Sequence, residues 1–146
     1  MRKTLTISAA VLVALALGFA GYVYMINRPL PQNEHDVAIL DRAIVLLSEE
    51  NDWARTGDRS CPQSGPPFNL YCAMREASIQ VTGEFKHRSA ALQQVRYAIE
   101  RQRPGVEYAH RLWDYNNDPA TSFEDLHGVL QDARAALAAA WQSKGG

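Results

Sequence analysis

A run of 22 residues without a charge or a proline, Leu5–Ile26, constrains this chain more than any other feature. Arg2 and Lys3 precede the run, and Arg28 follows it. A helix of this length is about 33 Å long, close to the thickness of the hydrocarbon core of a bilayer. The run therefore predicts an N-terminal transmembrane or signal-anchor helix within residues 1–28.

A cleavable signal peptide is the alternative interpretation of the same run. It would have a basic start, a shorter apolar centre and small residues at the cleavage site, such as Ala14–Ala16 or Gly18–Ala20. Apolar residues nevertheless continue to Ile26, and Tyr22 and Tyr24 resemble the aromatic belt of a membrane interface. We expect an uncleaved single-pass anchor, with a domain secreted to the periplasm after cleavage as the alternative.

The charges on the two sides of the run predict its orientation. More positive charge lies before the run than after it, which favours a cytoplasmic N-terminus. The expected location is the bacterial inner membrane, with the C-terminal domain in the periplasm. Residues 29–33, which contain two prolines, form a short linker, and residues 34–143 form one domain.

The domain is acidic. Without the three basic residues that flank the apolar run, the chain has 12 basic and 16 acidic residues, a net charge of −4. Proteins that bind nucleic acid carry a clustered basic face. The composition therefore argues against a nucleic-acid partner.

Apolar residues recur at steps of three and four throughout the domain, and no stretch alternates with a period of two. The pattern predicts helices over about 34–51, 69–82, from 86 or 89 to 102, and 104–113, with a last helix that begins after Ser122. The fold class is therefore all-α, a small irregular bundle of about five helices after the N-terminal helix.

Local residues predict where these helices begin and end. Asn33 and Asn69 are suitable N-caps, Gly83 ends a helix, and Ser122 with Asp125 forms a capping box. The connection between the first two helices is rich in proline and glycine, and we expect Trp53 to fold back from it onto the core.

The two cysteines, Cys61 and Cys72, predict a disulfide. An even number of cysteines outside the cytoplasm is typical of disulfide pairing. The bond would enclose ten residues and join the Pro/Gly-rich loop to the start of a helix. A reactive Cys72 in the first turn of that helix is the alternative.

Three short motifs resemble a family of small bacterial all-helical domains of unknown function. The motifs are Trp53 after an amphipathic helix, Tyr71-Cys72-Ala73 at the start of the next helix, and an aromatic–Asn–Asp loop, Trp113–Pro119, before a Ser/Thr-capped helix. The resemblance covers about residues 40–138. It implies an all-α fold and supplies no activity.

The densest polar segment is Asp114–Asp125. Calcium loops of twelve residues place oxygen ligands at alternate positions. The matching residues here are Asp114, Asn116, Asp118, Ser122 and Asp125. Pro119 stands where the turn of such a loop needs glycine, and the last ligand is aspartate instead of glutamate. We expect these side chains to make turn and capping hydrogen bonds, with calcium binding as the alternative.

His110 and His127 flank this segment. A site of His110, Asp114, Asp118 and His127 would suit another divalent metal or acid–base chemistry, although no His-Glu-x-x-His motif is present. The candidate ligand or metal residues are therefore His110, Asp114, Asn116, Asp118 and Asp125. No cofactor is expected on the structural interpretation.

The chain has no Gly-rich phosphate loop and no Gly-x-Ser-x-Gly motif. One cluster of basic residues could dock an acidic partner: Lys86, Arg88, Arg96, Arg101 and Arg103. We therefore expect a non-enzymatic, membrane-tethered module that binds another envelope protein. The alternative is a small metal-binding module or metal-dependent enzyme centred on Asp114–Asp125.

Overall fold

The computed structural model describes residues 9–26, 29–62 and 65–143, and within these ranges the protein is all-α. The helices are α1 (Ala9–Ile26), α2 (His35–Leu46), α3 (Leu70–Thr82), α4 (Ala90–Gln102), α5 (Arg111–Asn117) and α6 (Phe123–Gln142). A 3₁₀ turn, Glu50–Asp52, follows α2. The described ranges contain no strand, and Trp53 and Phe68 form only an isolated bridge.

Helix α1 corresponds to most of the predicted membrane span. The side chains described in it, at residues 13–22, are all exposed, and Leu17 and Phe19 are each 69% exposed. Among the helices of the described ranges, none is both long enough and apolar enough to cross a bilayer. Residues 5–8 of the predicted span lie outside those ranges, and the anchor stays a prediction.

The other five helices pack around one apolar core. Helix α2 packs against α3 and α6, α4 packs against α6, and the short α5 packs against α3 and α4. The largest fully buried side chains are Leu40, Leu47, Leu70, Met74, Leu92, Val95, Ile99, Tyr115, Leu126, Val129, Leu130 and Leu137. This arrangement confirms the predicted all-α bundle, and Trp53 is 7% exposed on the core, as expected.

Several predicted helix ends are confirmed. The Asn69 Oδ1 atom accepts a hydrogen bond from the Cys72 amide at 2.8 Å and caps α3. Gly83 ends α3 at a φ of 81°, a conformation that costs glycine little. Ser122 and Asp125 form the capping box of α6.

A buried carboxylate joins the linker to the domain. Asp36 is 1% exposed, and its two oxygens accept hydrogen bonds from the Ala91 amide at 3.0 Å and the Asn33 amide at 2.8 Å. The Leu30 amide also donates to Gln93 Oε1 at 2.7 Å. Because Ala91 lies in the first turn of α4, Asp36 satisfies a helix N-terminus and holds residues 29–33 against the bundle.

Two predicted helix ranges are wrong. Helix α2 ends at Leu46 instead of Asn51, because Leu47 leaves the helix at φ −120° and ψ 41°. The helix predicted over 104–113 is absent, because Gly105 at a φ of 81° closes a turn after α4. Helix α5 begins at Arg111 instead and extends to Asn117, so residues predicted as a polar loop are helical.

Candidate functional site

The five residues predicted as a ligand or metal loop lie on and around α5 and α6. His110 immediately precedes α5, and its backbone amide donates to Asp114 Oδ2 at 2.7 Å. Asp114 therefore stabilises the start of α5. Its carboxylate faces the backbone of its own helix and not the His110 imidazole.

Asn116 lies in the centre of the domain and is fully buried. Its Oδ1 atom accepts hydrogen bonds from Trp53 Nε1 at 2.7 Å and from the Leu70 amide at 2.9 Å. Its Nδ2 atom donates to the carbonyl oxygens of Ala54 at 3.0 Å and Arg55 at 3.1 Å. This one side chain joins α5 to the start of α3 and to the loop after Trp53, so its role is to position those segments.

Asp118 ends α5 and binds two donors. Its Oδ2 atom accepts from the Tyr108 hydroxyl at 2.5 Å, and its Oδ1 atom accepts from the Ala120 amide at 2.9 Å. These hydrogen bonds, that of Tyr108 first, lower the pKa of Asp118. Burial and the bond to Asp118 raise the pKa of Tyr108 to about 12.

Asp125 lies in the first turn of α6. Its Oδ2 atom accepts from the Ser122 amide at 3.0 Å and lies 3.3 Å from Arg103 Nη2. The bond from the Ser122 backbone is the largest cause that lowers the pKa of Asp125. The carboxylate therefore serves the capping box and an ion pair with the end of α4.

The geometry of these residues indicates a structural role. Each of the four carboxylate or amide groups binds protein donors, and the His127 Nε2 atom is hydrogen-bonded to the Leu47 carbonyl oxygen. In the part of the chain that the structure describes, no group of three or more histidine, cysteine, aspartate or glutamate side chains is placed to hold a metal ion. The metal-binding alternative stays a prediction.

A different group of residues lines an open cleft of about 360 Å³ between α3, α4 and the segment around α5. The arginine and histidine side chains that line it are Arg59, Arg96, Arg111, His87 and His110. Its remaining walls are Tyr71, Leu92, Tyr108, Ala109, Leu112 and Trp113. We call this the basic cleft, because no aspartate or glutamate is among the residues that line it.

Two of the three cleft arginines are close enough to interact unfavourably. Arg96 lies half-buried on α4, and its pKa is lowered by burial and by the charge of Arg111. Its Nη2 atom donates to the His87 carbonyl oxygen at 3.2 Å. Arg111 forms an ion pair with Glu100 at 2.6 Å, whereas the described ion pairs include none for Arg96.

The third arginine, Arg59, lies on a loop that is fixed on both sides. The Gly57 carbonyl oxygen accepts hydrogen bonds from the Trp113 indole and from Asn117 Nδ2, the latter at 2.9 Å. On the other side, Cys61 forms a disulfide with Cys72 of α3, which confirms the predicted pair. The Arg59 guanidinium lies 6.0 Å from the centroid of the Trp113 ring.

The aromatic walls of the basic cleft pack against its histidines. The Tyr71 and His87 rings stack at 6.3 Å with an angle of 27° between their planes, and the Phe85 ring meets His87 edge-on at 4.6 Å. The His110 and Trp113 rings, which also line the cleft, are 5.9 Å apart. The cleft therefore presents flat rings beside positive or titratable groups.

Only part of this cleft is predicted by the sequence. Arg96 was one of five basic residues in a predicted docking face, but that face is divided in the structure. Arg101 pairs with Asp132 and Arg103 with Asp125, and neither arginine lines the cleft. Arg59 reaches the cleft from a loop about 50 residues before Arg111 and Trp113 of α5, and no spacing rule joins that loop to the helix.

Comparison with known proteins gives a family without an assigned activity. The model of DUF6197, described as a family of unknown function, matches residues 31–136. No curated protein and no solved structure matches the chain. The match agrees with the resemblance found in the motifs, two of which, at Tyr71 and Trp113, contribute walls of the basic cleft.

Proposed function

We propose that this protein, which belongs to the DUF6197 family, is a membrane-tethered binding module of the bacterial envelope. Its N-terminal segment would span the inner membrane once, with the N-terminus in the cytoplasm. The helical domain would lie in the periplasm and bind another envelope protein without catalysing a reaction.

The disulfide supports the location. Bonds such as Cys61–Cys72 persist in oxidising compartments and are rare in the cytosol. The apolar run that precedes the domain supports tethering, because the side chains described in α1 are exposed instead of packed in the core. The linker at residues 29–33 is short and bonded to α4, which would keep the domain near the membrane.

The basic cleft is the observation that carries the binding role. It is open to solvent, its walls come from four separate segments, and its loop is fixed by a disulfide and hydrogen bonds. A surface that is rigid before binding loses less entropy when a partner docks. Its side chains carry the groups enriched at protein interfaces, namely arginine, tyrosine and tryptophan.

Cross-linking of the full-length protein in intact bacterial membranes tests the proposal. We expect the protein to remain with membranes after an alkaline wash, its domain to be cleaved by protease only after the outer membrane is opened, and one discrete envelope protein to be cross-linked. Recovery in the soluble cytoplasmic fraction would contradict the location. Cross-links to other copies alone, or none, would contradict the binding role.

A further inference from the structure

We propose that the basic cleft recognises carboxylate groups on an acidic segment of the partner protein, with Arg96 as the central contact and Arg59 and Arg111 on either side. This inference rests on the proposed function, since it names the chemistry of the partner and the surface that meets it.

Charge complementarity is the first argument. The cleft is lined by three arginines and by no acidic side chain, although residues 29–146 are acidic overall, with 12 basic and 16 acidic residues. On a domain of negative net charge, a cleft lined by positive side chains concentrates a positive electrostatic potential at that one place. An acidic segment would be attracted to that cleft and repelled by the rest of the surface.

Arg96 gives the second argument. Its guanidinium is partly removed from water and has one described protein acceptor, a neutral carbonyl oxygen at 3.2 Å. It also lies within the influence of a second positive charge, that of Arg111. Partly buried charges are normally paired, because loss of hydration must be offset. A carboxylate from outside the chain would supply the missing partner of Arg96.

The geometry of the guanidinium groups selects the chemistry. Arginine presents a planar fork of N–H donors that matches the two oxygens of a carboxylate. Arg111 already binds one carboxylate, that of Glu100. A second carboxylate between Arg96 and Arg111 would also reduce the repulsion between these two positive charges.

The fixed position of Arg59 supplies the third contact. The disulfide at Cys61 and the two bonds to the Gly57 carbonyl oxygen restrict the loop that carries it. Trp113 supports the Arg59 side chain at the mouth of the cleft. The cleft volume of about 360 Å³ accommodates one or two side chains of an extended segment, not a folded element.

Binding of defined peptides to the purified full-length protein in detergent tests the inference. The probe is an end-blocked decapeptide of alternating glutamate and glycine, and its control has glutamine in place of each glutamate. Calorimetry should show binding of the acidic peptide that weakens as salt is raised. The glutamine peptide should bind at least about tenfold more weakly, because a charged pair contributes more than a neutral hydrogen bond.

Matched variants locate the site. Arg96→Gln and Arg59→Gln should each weaken binding of the acidic peptide about tenfold, while Arg101→Gln, on the same helix but paired with Asp132 outside the cleft, should leave it unchanged. Circular dichroism establishes that each variant is folded. If Arg96→Gln fails to fold, Arg59→Gln, on a surface loop, still tests whether the acidic peptide binds in the cleft.

Three outcomes would overturn the inference. The first is equal binding of both peptides, and the second is an equal loss of peptide binding in the Arg101→Gln variant. The third is binding of glutarate or inorganic phosphate as tight as that of the peptide, because the cleft would then be a small-anion site. If membrane cross-linking still captures one envelope protein in the Arg96→Gln and Arg59→Gln variants, the proposed function stands and only this inference fails.

Discussion

The indole N–H of Trp53 donates a hydrogen bond of 2.7 Å to the side-chain oxygen of Asn116, 63 residues further along the chain. The same oxygen accepts from the Leu70 amide, and the amide nitrogen of Asn116 donates to two carbonyl oxygens of the Trp53 loop. The side-chain amide of Asn116 therefore joins three separate segments of the chain, namely α5, the start of α3 and the loop that carries Trp53. Such a buried network is costly to interrupt, because each group left without a partner has already lost its water.

Asn116→Ala should be among the most destabilising substitutions in the domain. It removes the acceptor of Trp53 and of the Leu70 amide and leaves a cavity, which together should lower the free energy of unfolding by about 2–4 kcal/mol. Urea denaturation followed by circular dichroism measures this loss. Asn51→Ala, an exposed position in the 3₁₀ turn, is the control and should change stability by less than about 0.5 kcal/mol. Equal effects of the two substitutions would show that the Asn116 network has no special role.

Asp36→Ala should also destabilise the domain, through the start of α4. The carboxylate is 1% exposed and accepts from the Ala91 and Asn33 amides, so its removal leaves two backbone donors unsatisfied. We expect a loss of about 2–4 kcal/mol in the free energy of unfolding. Asp41→Ala, which breaks an exposed ion pair with Arg134, should cost less than about 1 kcal/mol. Similar losses in both variants would contradict the capping role of Asp36.

Features encoded by neighbouring residues were predicted well. The caps at Asn69 and Ser122, the end of α3 at Gly83 and the disulfide depend on local sequence, and all are present in the structure. The helix boundary at Arg111 was missed, because proline at position 104 is typical of a first helical turn. The positive φ of Gly105 and the bond from the His110 amide to Asp114 decide otherwise.

The candidate site was harder to predict, for a physical reason. The basic cleft forms where distant segments meet, and its charge depends on which arginines have carboxylate partners nearby. Arg101 and Arg103 are close to Arg96 in the sequence and carry the same charge, yet both pair with acidic residues of α6. Only the packing of α4 against α6 separates them from Arg96.

Loss of the disulfide should weaken both the fold and the basic cleft. The double variant Cys61→Ala, Cys72→Ala should lose about 3 kcal/mol of unfolding free energy, because the unfolded chain regains the entropy of a short loop. The loop carrying Arg59 should become more accessible to protease, since one of its two attachments is gone. Intact mass after alkylation without reductant checks the bond itself, and two modified thiols in the native protein would contradict it. Unchanged stability in the double variant would remove its structural role.

Added metal tests the alternative interpretation of the Asp114–Asp125 segment. Because Asp114, Asp118 and Asp125 already accept hydrogen bonds from protein donors, we expect calcium, zinc or a chelator to leave the melting temperature unchanged. An ion that binds only the folded state should raise it by an amount that grows with the logarithm of the ion concentration above Kd. A concentration-dependent increase that Asp118→Asn abolishes would establish a metal site there. A Glu124→Gln variant, exposed on the same segment, serves as the control.

The Tyr108 phenol should ionise at a higher pH than a free tyrosine, and its ionisation should reduce the free energy of unfolding in alkaline solution. Burial and the hydrogen bond to Asp118 raise the pKa of Tyr108 to about 12, above the unfolded value of about 10. The neutral phenol therefore contributes stability that is fully present below pH 10 and is lost as the pH rises towards 12. Absorbance at 295 nm follows the titration, and Tyr108→Phe should remove a late step from it. Asp118→Asn should shift that step to lower pH, because the bound carboxylate opposes a phenolate. Burial also raises the pKa of Tyr115, so a still later step should remain in Tyr108→Phe. A titration that Tyr108→Phe leaves unchanged would assign the step near pH 12 to another residue, and a step unmoved by Asp118→Asn would show that burial alone raises the pKa of Tyr108.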